Sequence, residues 1–436
     1  MIDDLAQLTA FESGKRIAAG ELHPSELVDA CIARCANREP EVRAWAYLDA
    51  DKPAMAGRLL DAADAVSPLH GIPFGVKDII DTQDMPTGLG TPIYHGHQPA
   101  RDAACVALLR EAGGICFGKT VTTELAHFHP GKTRNPAALG HTPGGSSSGS
   151  AAAVAAGMVP VALGTQTTGS VLRPASYCGV YGFKPSYGDV LRSGVFECSA
   201  SFDTLGWFAR CLQDIEIVRL ALLRSPVREL QPAALGGLRV GLFRGPHWAQ
   251  ADPATRDAIE SAAARLQALV ESLTEIEHDV DFVDIDSHHR TIAGYEFARS
   301  ISWERTQRGH QLSPKLLLGR CEDGMRTSYE EFAGAQAALA EQRINHAKLM
   351  QQYDVLLTPS APGEAWPGLL ATGDPVFNTA WTALHVPVLS VPAFRGATGL
   401  PVGLQMVGGF RADRALLVAA AAICAALDVG TVAPAA

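Results

Sequence analysis

The sequence has no surplus of basic residues: 36 Lys and Arg stand against 46 Asp and Glu, a formal charge of −10 over 436 residues. That balance argues against an unaided DNA- or RNA-binding surface, which draws its affinity from neutralising phosphates. Charged residues are sparse altogether, 19% beside 47% hydrophobic, so global disorder is excluded and a chain of this length can bury a large apolar interior. No apolar run reaches the roughly 18 to 20 residues that span a bilayer. The longest, Ala415 to Leu427, lies between Arg414 and Asp428 and reads as a buried C-terminal helix. The nine cysteines include no Cys-x-x-Cys pair, so neither a zinc ribbon nor a disulfide framework is expected. Cys31 and Cys35, four apart on one helix face, read as packing. Met1-Ile2-Asp3-Asp4 lacks the basic and apolar regions of an export signal, which makes the cytoplasm the expected location. With no Pro/Ser linker, charge block or internal repeat, residues 1–436 are read as one domain.

Glycine is what the chain has in abundance: 42 residues, much of the excess falling between positions 71 and 188, against a norm of roughly 7%. The same stretch alternates strand and helix signals. Pro24 to about Asn37 reads as a helix started by His23-Pro24-Ser25, Gly71 to Ile80 as a strand, Ala103 to Glu111 as a helix and Ile115 to Gly118 as a strand. Ser148 to Ala156 is an Ala-rich helix ended by Gly157, followed by a strand over Val159 to Leu163. Past Ser225 come a strand at Leu238 to Leu242 and a helix opened by Asp252-Pro253, with Ile259, Ala263, Leu266, Val270 and Leu273 on one face. A long polar helix around Tyr329 to Gln352 and a strand Val355 to Leu357 complete the pattern. The expected fold is α/β: one large domain with a mixed, twisted central sheet covered by helices on both faces.

Two short motifs fail on context. Gly113-Gly114-Ile115-Cys116-Phe117-Gly118-Lys119-Thr120 spells a phosphate-binding loop, which requires a strand before the glycines and a helix opening at the Lys-Thr. Here a helix precedes Gly113 and the middle residues are themselves the strand. Gly145-Ser146-Ser147-Ser148-Gly149 spells a nucleophile elbow centred on Ser147. Its required histidine has too many candidates (His278, His288, His289, His310, His346, His385), and Thr142-Pro143-Gly144 is a poor strand for an elbow to end.

A third constellation is far more specific. Lys77 sits in a strand among Ile72, Phe74, Val76 and Ile79, where burial disfavours the ammonium and brings the amine toward a value useful for a base. A glycine-flanked triple serine, Ser146 to Ser148, follows. Gly164 to Pro174 then ends a strand in a hydroxyl-rich turn of the kind that presents backbone N–H groups to an anion. Together these are parts for acyl transfer without histidine. Gly71 to Asp78, Pro143 to Ala152, and Gly164 to Arg173 with Tyr177-Cys178-Gly179 and Gly182 to Pro185 resemble the amidase signature family. Weaker similarity extends to Gly399 through Gly408. Within the family, Asp78 to Thr82, Met85-Pro86-Thr87 and Ser146 to Ser150 look closest to the malonamidases.

The resemblance implies a catalytic triad of Ser170, Ser146 and Lys77, with a cis peptide between Gly145 and Ser146, and no cofactor or metal. It implies an oxyanion hole made by the N–H groups of Thr167, Thr168, Gly169 and Ser170. Thr168 departs from the family's usual glycine; it is expected at negative φ, with its N–H turned inward and its side chain narrowing the pocket. Arg173 is read two ways, as the anchor of a substrate carboxylate or as a pin for the signature loop. Phe128 and His129, in the loop Glu124 to Pro130, are read as substrate-binding residues. Ser147 and Ser148 are expected to cap the following helix, and Lys119 and Lys184 to be structural. His95-x-His97 and His127-x-His129 read as loop residues, not metal pairs. The expected substrate is a small amide, or a carbamate or ester cleaved by the same triad, and the expected assembly a homodimer. Membership of a tRNA-dependent amidotransferase complex is the third reading, disfavoured because the chain looks short for it.

Overall fold

The computed structural model describes residues 5–276, 282 and 284–435. Met1 to Asp4, read above for an export signal, and His278 lie outside the described residues. Eleven strands among those described form one sheet: β1 (Trp45–Tyr47), β2 (Pro73–Lys77), β3 (Ile115–Thr120), β4 (Val161–Gln166), β5 (Tyr181–Lys184), β6 (Thr204–Ala209), β7 (Arg239–Phe243), β8 (Ser272–Ile276), β9 (Val355–Pro359), β10 (Val388–Arg395) and β11 (Pro401–Val407). Across the sheet they run β1-β3-β2-β4-β6-β5-β10-β11-β9-β7-β8. Two parallel trios, β3-β2-β4 and β9-β7-β8, flank an antiparallel centre. This is the mixed sheet the sequence pattern predicts.

Strands β2, β3 and β4 are buried along their whole length, as parallel strands covered on both faces must be. One cover is the helix Ser148–Ala155, every residue of which is buried. Its close approach depends on Gly149. A Cβ there would lie 2.2 Å from the Ala44 carbonyl oxygen and 2.3 Å from the Val121 amide nitrogen. The C-terminal helix Asp413–Ala426 buries Leu416, Leu417, Ala420 and Ile423. Among the described residues no helix is long and apolar enough to cross a membrane.

Several element boundaries differ from the expectation by a few residues, and two helix ends have a physical reason. The helix begun at Pro24 continues past Asn37 to Val42 and stops where Arg43 takes a left-handed φ of 54°. Pro40 lies in its final turn and has no N–H to give the helix there. The helix opened by Pro253 ends at Gln267. Val270 lies in the turn that follows, and Leu273 belongs to β8, opposite Val240 of β7.

The phosphate-loop reading fails as its context requires. The helix Ala104–Glu111 precedes the glycines, and Ile115–Thr120 is β3 itself. Lys119 is a structural tie, its Nζ 2.6 Å from Thr87 Oγ1, 3.2 Å from the Pro86 carbonyl and 3.5 Å from Asp78.

Candidate active site

The site lies at the carboxyl ends of the neighbouring parallel strands β2 and β4, the usual location of a crevice in an open α/β sheet. Lys77, the last residue of β2, is fully buried. Its Nζ reaches Ser146 Oγ at 2.7 Å and Thr165 Oγ1 at 2.8 Å. Burial pulls the amine from its usual 10.5 down to about 7, opposed by Cys198 and the Asp203 carboxylate. Hydroxyl partners leave the lysine free to titrate near neutrality.

Ser146 is delivered by the loop between β3 and the helix Ser148–Ala155. Gly144 turns that loop at φ 80° against Pro174, and the Gly145–Ser146 peptide is cis. Ser147 and Ser148 do not cap the helix with their side chains, contrary to expectation. Ser147 Oγ donates to the Thr165 carbonyl at 3.2 Å and accepts the Thr165 amide at 3.3 Å, while Ser148 Oγ donates to the Val121 carbonyl at 3.3 Å. Thr165 of β4 and Val121, just past β3, take these hydroxyls instead of the helix N-terminus. Fully buried against β4, Ser147 is in no position to act as an elbow nucleophile.

Ser170 follows β4 in a turn that several side chains hold. Gln166 Oε1 accepts the amides of Val171 at 2.8 Å and Leu172 at 3.1 Å. Gln166 Nε2 donates to Thr382 Oγ1 at 2.9 Å, and Thr382 Oγ1 donates to the Thr168 carbonyl at 2.7 Å. Thr167 Oγ1 donates to Asp203 at 2.5 Å. Thr168 is not among the residues with positive φ, so its β-branched side chain fits the turn. No hydrogen bond among the described residues engages the amides of Thr168, Gly169 and Ser170. Ser146, Thr167, Thr168, Gly169, Ser170 and Arg173 line one small cavity.

Residues 26–417 match the family described as Amidase. The chain belongs to that family. As an amidase-family enzyme it acts on amide C–N bonds. It is 32% identical to a glutamyl-tRNA(Gln) amidotransferase subunit from Acidothermus cellulolyticus, over 98% of this chain and 95% of that relative. The native peptide amidase from Stenotrophomonas maltophilia is similar in structure with a TM-score of 0.85 and 28% identity, covering 100% of this chain and 99% of that one. A 6-aminohexanoate cyclic dimer hydrolase gives a TM-score of 0.84 at 26% identity over 97% of each chain.

In this amidase the cavity wall beyond the serines departs in part from the sequence reading. Arg173 is buried, and its Nη2 donates to the Gly145 carbonyl at 2.6 Å and to Thr372 Oγ1 at 3.4 Å. It therefore pins the loop that carries Ser146. Its Nε and Nη1 are buried without a hydrogen-bond partner among the described residues. Phe128 lines the cavity, but His129 is exposed at the surface and His127 takes the place expected of it. His127 packs on Phe128 and Phe297, ring centroids 4.6 and 5.2 Å away; burial, then Arg320 and Lys315, hold it well below its usual pKa and hence neutral. The other histidine pair, His95 and His97, is exposed. Among the described residues no group of three or more His, Cys, Asp or Glu is placed to hold a metal.

Sequence reasoning missed Arg320, Thr372 and Pro375, which also line the cavity. They come from segments 150 and more residues beyond Ser170 that carry no motif. Thr165 and Gln166 lay inside the motif already recognised, and their period-2 placement at the end of β4 was the available signal.

Proposed function

We propose that this enzyme is a serine amidase in which Ser170 is the nucleophile, Ser146 the relay and Lys77 the base. The observation that carries this reading is the 2.7 Å contact between Ser146 Oγ and a fully buried Lys77 held by hydroxyl groups. Ser170 Oγ attacks the amide carbon, its proton passing to Ser146 and that of Ser146 to neutral Lys77. The carbonyl electron pair moves onto oxygen, where the amides of Thr167, Thr168, Gly169 and Ser170 are aimed in this reading. The relay then runs backward, a proton reaches the leaving nitrogen, the C–N bond breaks and ammonia or an amine departs. Water repeats the sequence on the acyl-enzyme and frees the acid.

The test is hydrolysis of a neutral aliphatic amide, an anilide and an aryl carbamate by the native enzyme and by Ser170→Ala, with intact-mass detection of a trapped acyl-enzyme. Loss of roughly a thousandfold or more in rate is expected. Turnover that survives the substitution rules out Ser170 as nucleophile. Winning by the carbamate would make this a carbamate hydrolase with the same triad.

One finding favours a second reading, membership of an amidotransferase complex: 32% identity to a subunit so named, over 98% of this chain and 95% of that relative. Against it, 492 aligned positions for a 436-residue chain mean that segments of that relative are absent here. The purified chain acting alone on small amides, as a homodimer by sedimentation, supports the first reading. Activity appearing only with partner subunits supports the second.

A further inference from the structure

We propose that His289 is a positioning residue of the oxyanion hole: its ring N–H holds the Thr167 carbonyl and so turns the Thr168 amide toward the substrate. The inference rests on the amidase reading above and adds to it a residue from outside the cavity wall.

The turn after β4 treats its two kinds of backbone group differently. All four carbonyls from Thr167 to Ser170 are engaged. That of Thr167 lies 2.8 Å from His289 Nε2, and that of Thr168 accepts Thr382 Oγ1 at 2.7 Å. Those of Gly169 and Ser170 accept the amides of Arg173 at 3.1 Å and Ser147 at 3.4 Å. The amides of Thr168, Gly169 and Ser170, by contrast, have no hydrogen bond among the described residues. Unmade donors on buried backbone are rare, and Thr168 and Ser170 are each only 9% exposed. In a trans peptide the C=O and the N–H point opposite ways, and the cis peptide among the described residues is Gly145–Ser146. Whatever grips the Thr167 carbonyl therefore sets the direction of the Thr168 amide, and the grip on the Thr168 carbonyl sets that of Gly169. Carbonyls tied back into the protein leave a row of donors for the cavity that these residues line.

Two of the four ties come from backbone amides and cannot be altered by substitution. The other two come from the side chains of Thr382 and His289. His289 lies on the helix Ile285–Ser300, is only 2% exposed, and stacks on Phe202 with ring centroids 4.4 Å apart. A carbonyl oxygen only accepts, so Nε2 carries the hydrogen. Burial, then Arg320, lower the ring from its usual 6.5 to about 4, which keeps it neutral in that tautomer at neutral pH. Thr167 is fixed from a second side as well, its Oγ1 donating to Asp203 at 2.5 Å. His289 is one of the histidines that follow the Ser147 motif in the chain, yet it serves the Ser170 turn.

The experiment measures kcat and KM for the fastest of the amides named above, and Ki for 1,1,1-trifluoroacetone, in the native enzyme, His289→Phe, His289→Gln and His289→Asn. Ser170 Oγ adds to the ketone carbon, its proton passing through Ser146 to Lys77, and the carbonyl electron pair becomes an oxyanion held as in hydrolysis. Phenylalanine keeps the stacked ring without a donor. The glutamine amide nitrogen reaches the place of Nε2, whereas that of asparagine stops near Nδ1. His289→Phe and His289→Asn should lower kcat and weaken the ketone by about thirtyfold, less than the hundredfold or more for removing an oxyanion donor outright. KM should stay within about threefold, and His289→Gln should recover most of both losses. A kcat in His289→Phe within threefold of native overturns the proposal, as does His289→Gln as slow as His289→Asn, or a lowered kcat with unchanged Ki. If His289→Phe does not fold, the glutamine and asparagine variants decide by themselves. Ser170→Ala separates the two claims. Inactive Ser170→Ala beside native-like His289 variants refutes the role of His289 alone, whereas Ser170→Ala that keeps turnover and ketone affinity refutes the triad and this proposal with it.

Discussion

Replacing Lys77 by methionine should abolish activity and yet raise stability at neutral pH. Lys77 titrates at about 7 in the fold against the usual 10.5, and burial is the largest cause. A lysine lowered in this way makes the unfolded state the better proton binder between those two values, so its penalty on folding is full below pH 7 and fades as pH rises toward 10.5. At about 1.4 kcal/mol per pH unit, the penalty is about 4 kcal/mol at pH 7 and about 2 kcal/mol at pH 9. Methionine has nearly the same shape and no charge, but it forfeits the hydrogen bonds to Ser146 and Thr165 at 2.7 and 2.8 Å, together about 2 kcal/mol. The variant should thus be more stable than native by about 2 kcal/mol at pH 7 and nearly equal at pH 9. Lys184, also lowered to about 7 by burial, is present in both proteins and cancels. Urea unfolding of both proteins at pH 7, 8 and 9 measures the difference. A stability difference that does not change with pH would show that Lys77 is not depressed in the fold, and the neutral-base mechanism would fall with it.

Three further outcomes follow from the same geometry. Because Lys77 must be neutral to take the proton of Ser146, kcat/KM should fall about tenfold from pH 8 to pH 6, with a midpoint near 7; a profile flat across that range refutes the assignment. Thr382→Val removes the hydroxyl between Gln166 Nε2 and the Thr168 carbonyl, and should cost about tenfold in kcat by loosening the Ser170 turn, with a smaller change in KM. Steady-state kinetics showing only a KM effect would contradict it. Gly149→Ala places a methyl group 2.2 Å from the Ala44 carbonyl oxygen and should destabilise the fold by about 2 to 3 kcal/mol, readable as a lowered urea midpoint.

The triad was legible from sequence because its parts sit in three short segments whose local chemistry is self-explanatory. Lys77 is a charged residue in an apolar strand, Ser146 lies among glycines, and Ser170 ends a strand in a turn. The parallel trio was legible for the same reason, as alternating short apolar runs and helices. What escaped was the part of the site assembled over long range. Arg320 comes from a segment with no periodic or glycine signal, and only the packing of its turn against the Glu124 to Phe128 loop brings it to Thr168. His127 and His129 are alternatives in an irregular loop, where sequence gives no face. The structure turns His127 inward against Phe297 and leaves His129 at the surface. The serines after Ser146 have helix-cap composition, yet the carbonyls of Thr165 and Val121 take their hydroxyls.

Three lysines are buried in this sheet, and comparing them shows what selects the base. Lys119 is held by Asp78 at 3.5 Å, which opposes the effect of burial and favours the ammonium. Lys184 is lowered to about 7, as Lys77 is, but its Nζ donates to the carbonyls of Val386 at 2.6 Å and Pro185 at 2.9 Å. Carbonyl oxygens carry no proton to give. Lys77 alone of the three meets a serine hydroxyl that lines the cavity. A depressed lysine is therefore not enough for catalysis. Its partner must be able to pass a proton and must face the substrate, and the cis Gly145–Ser146 peptide, pinned by Arg173 through the Gly145 carbonyl, is where the chain provides that partner.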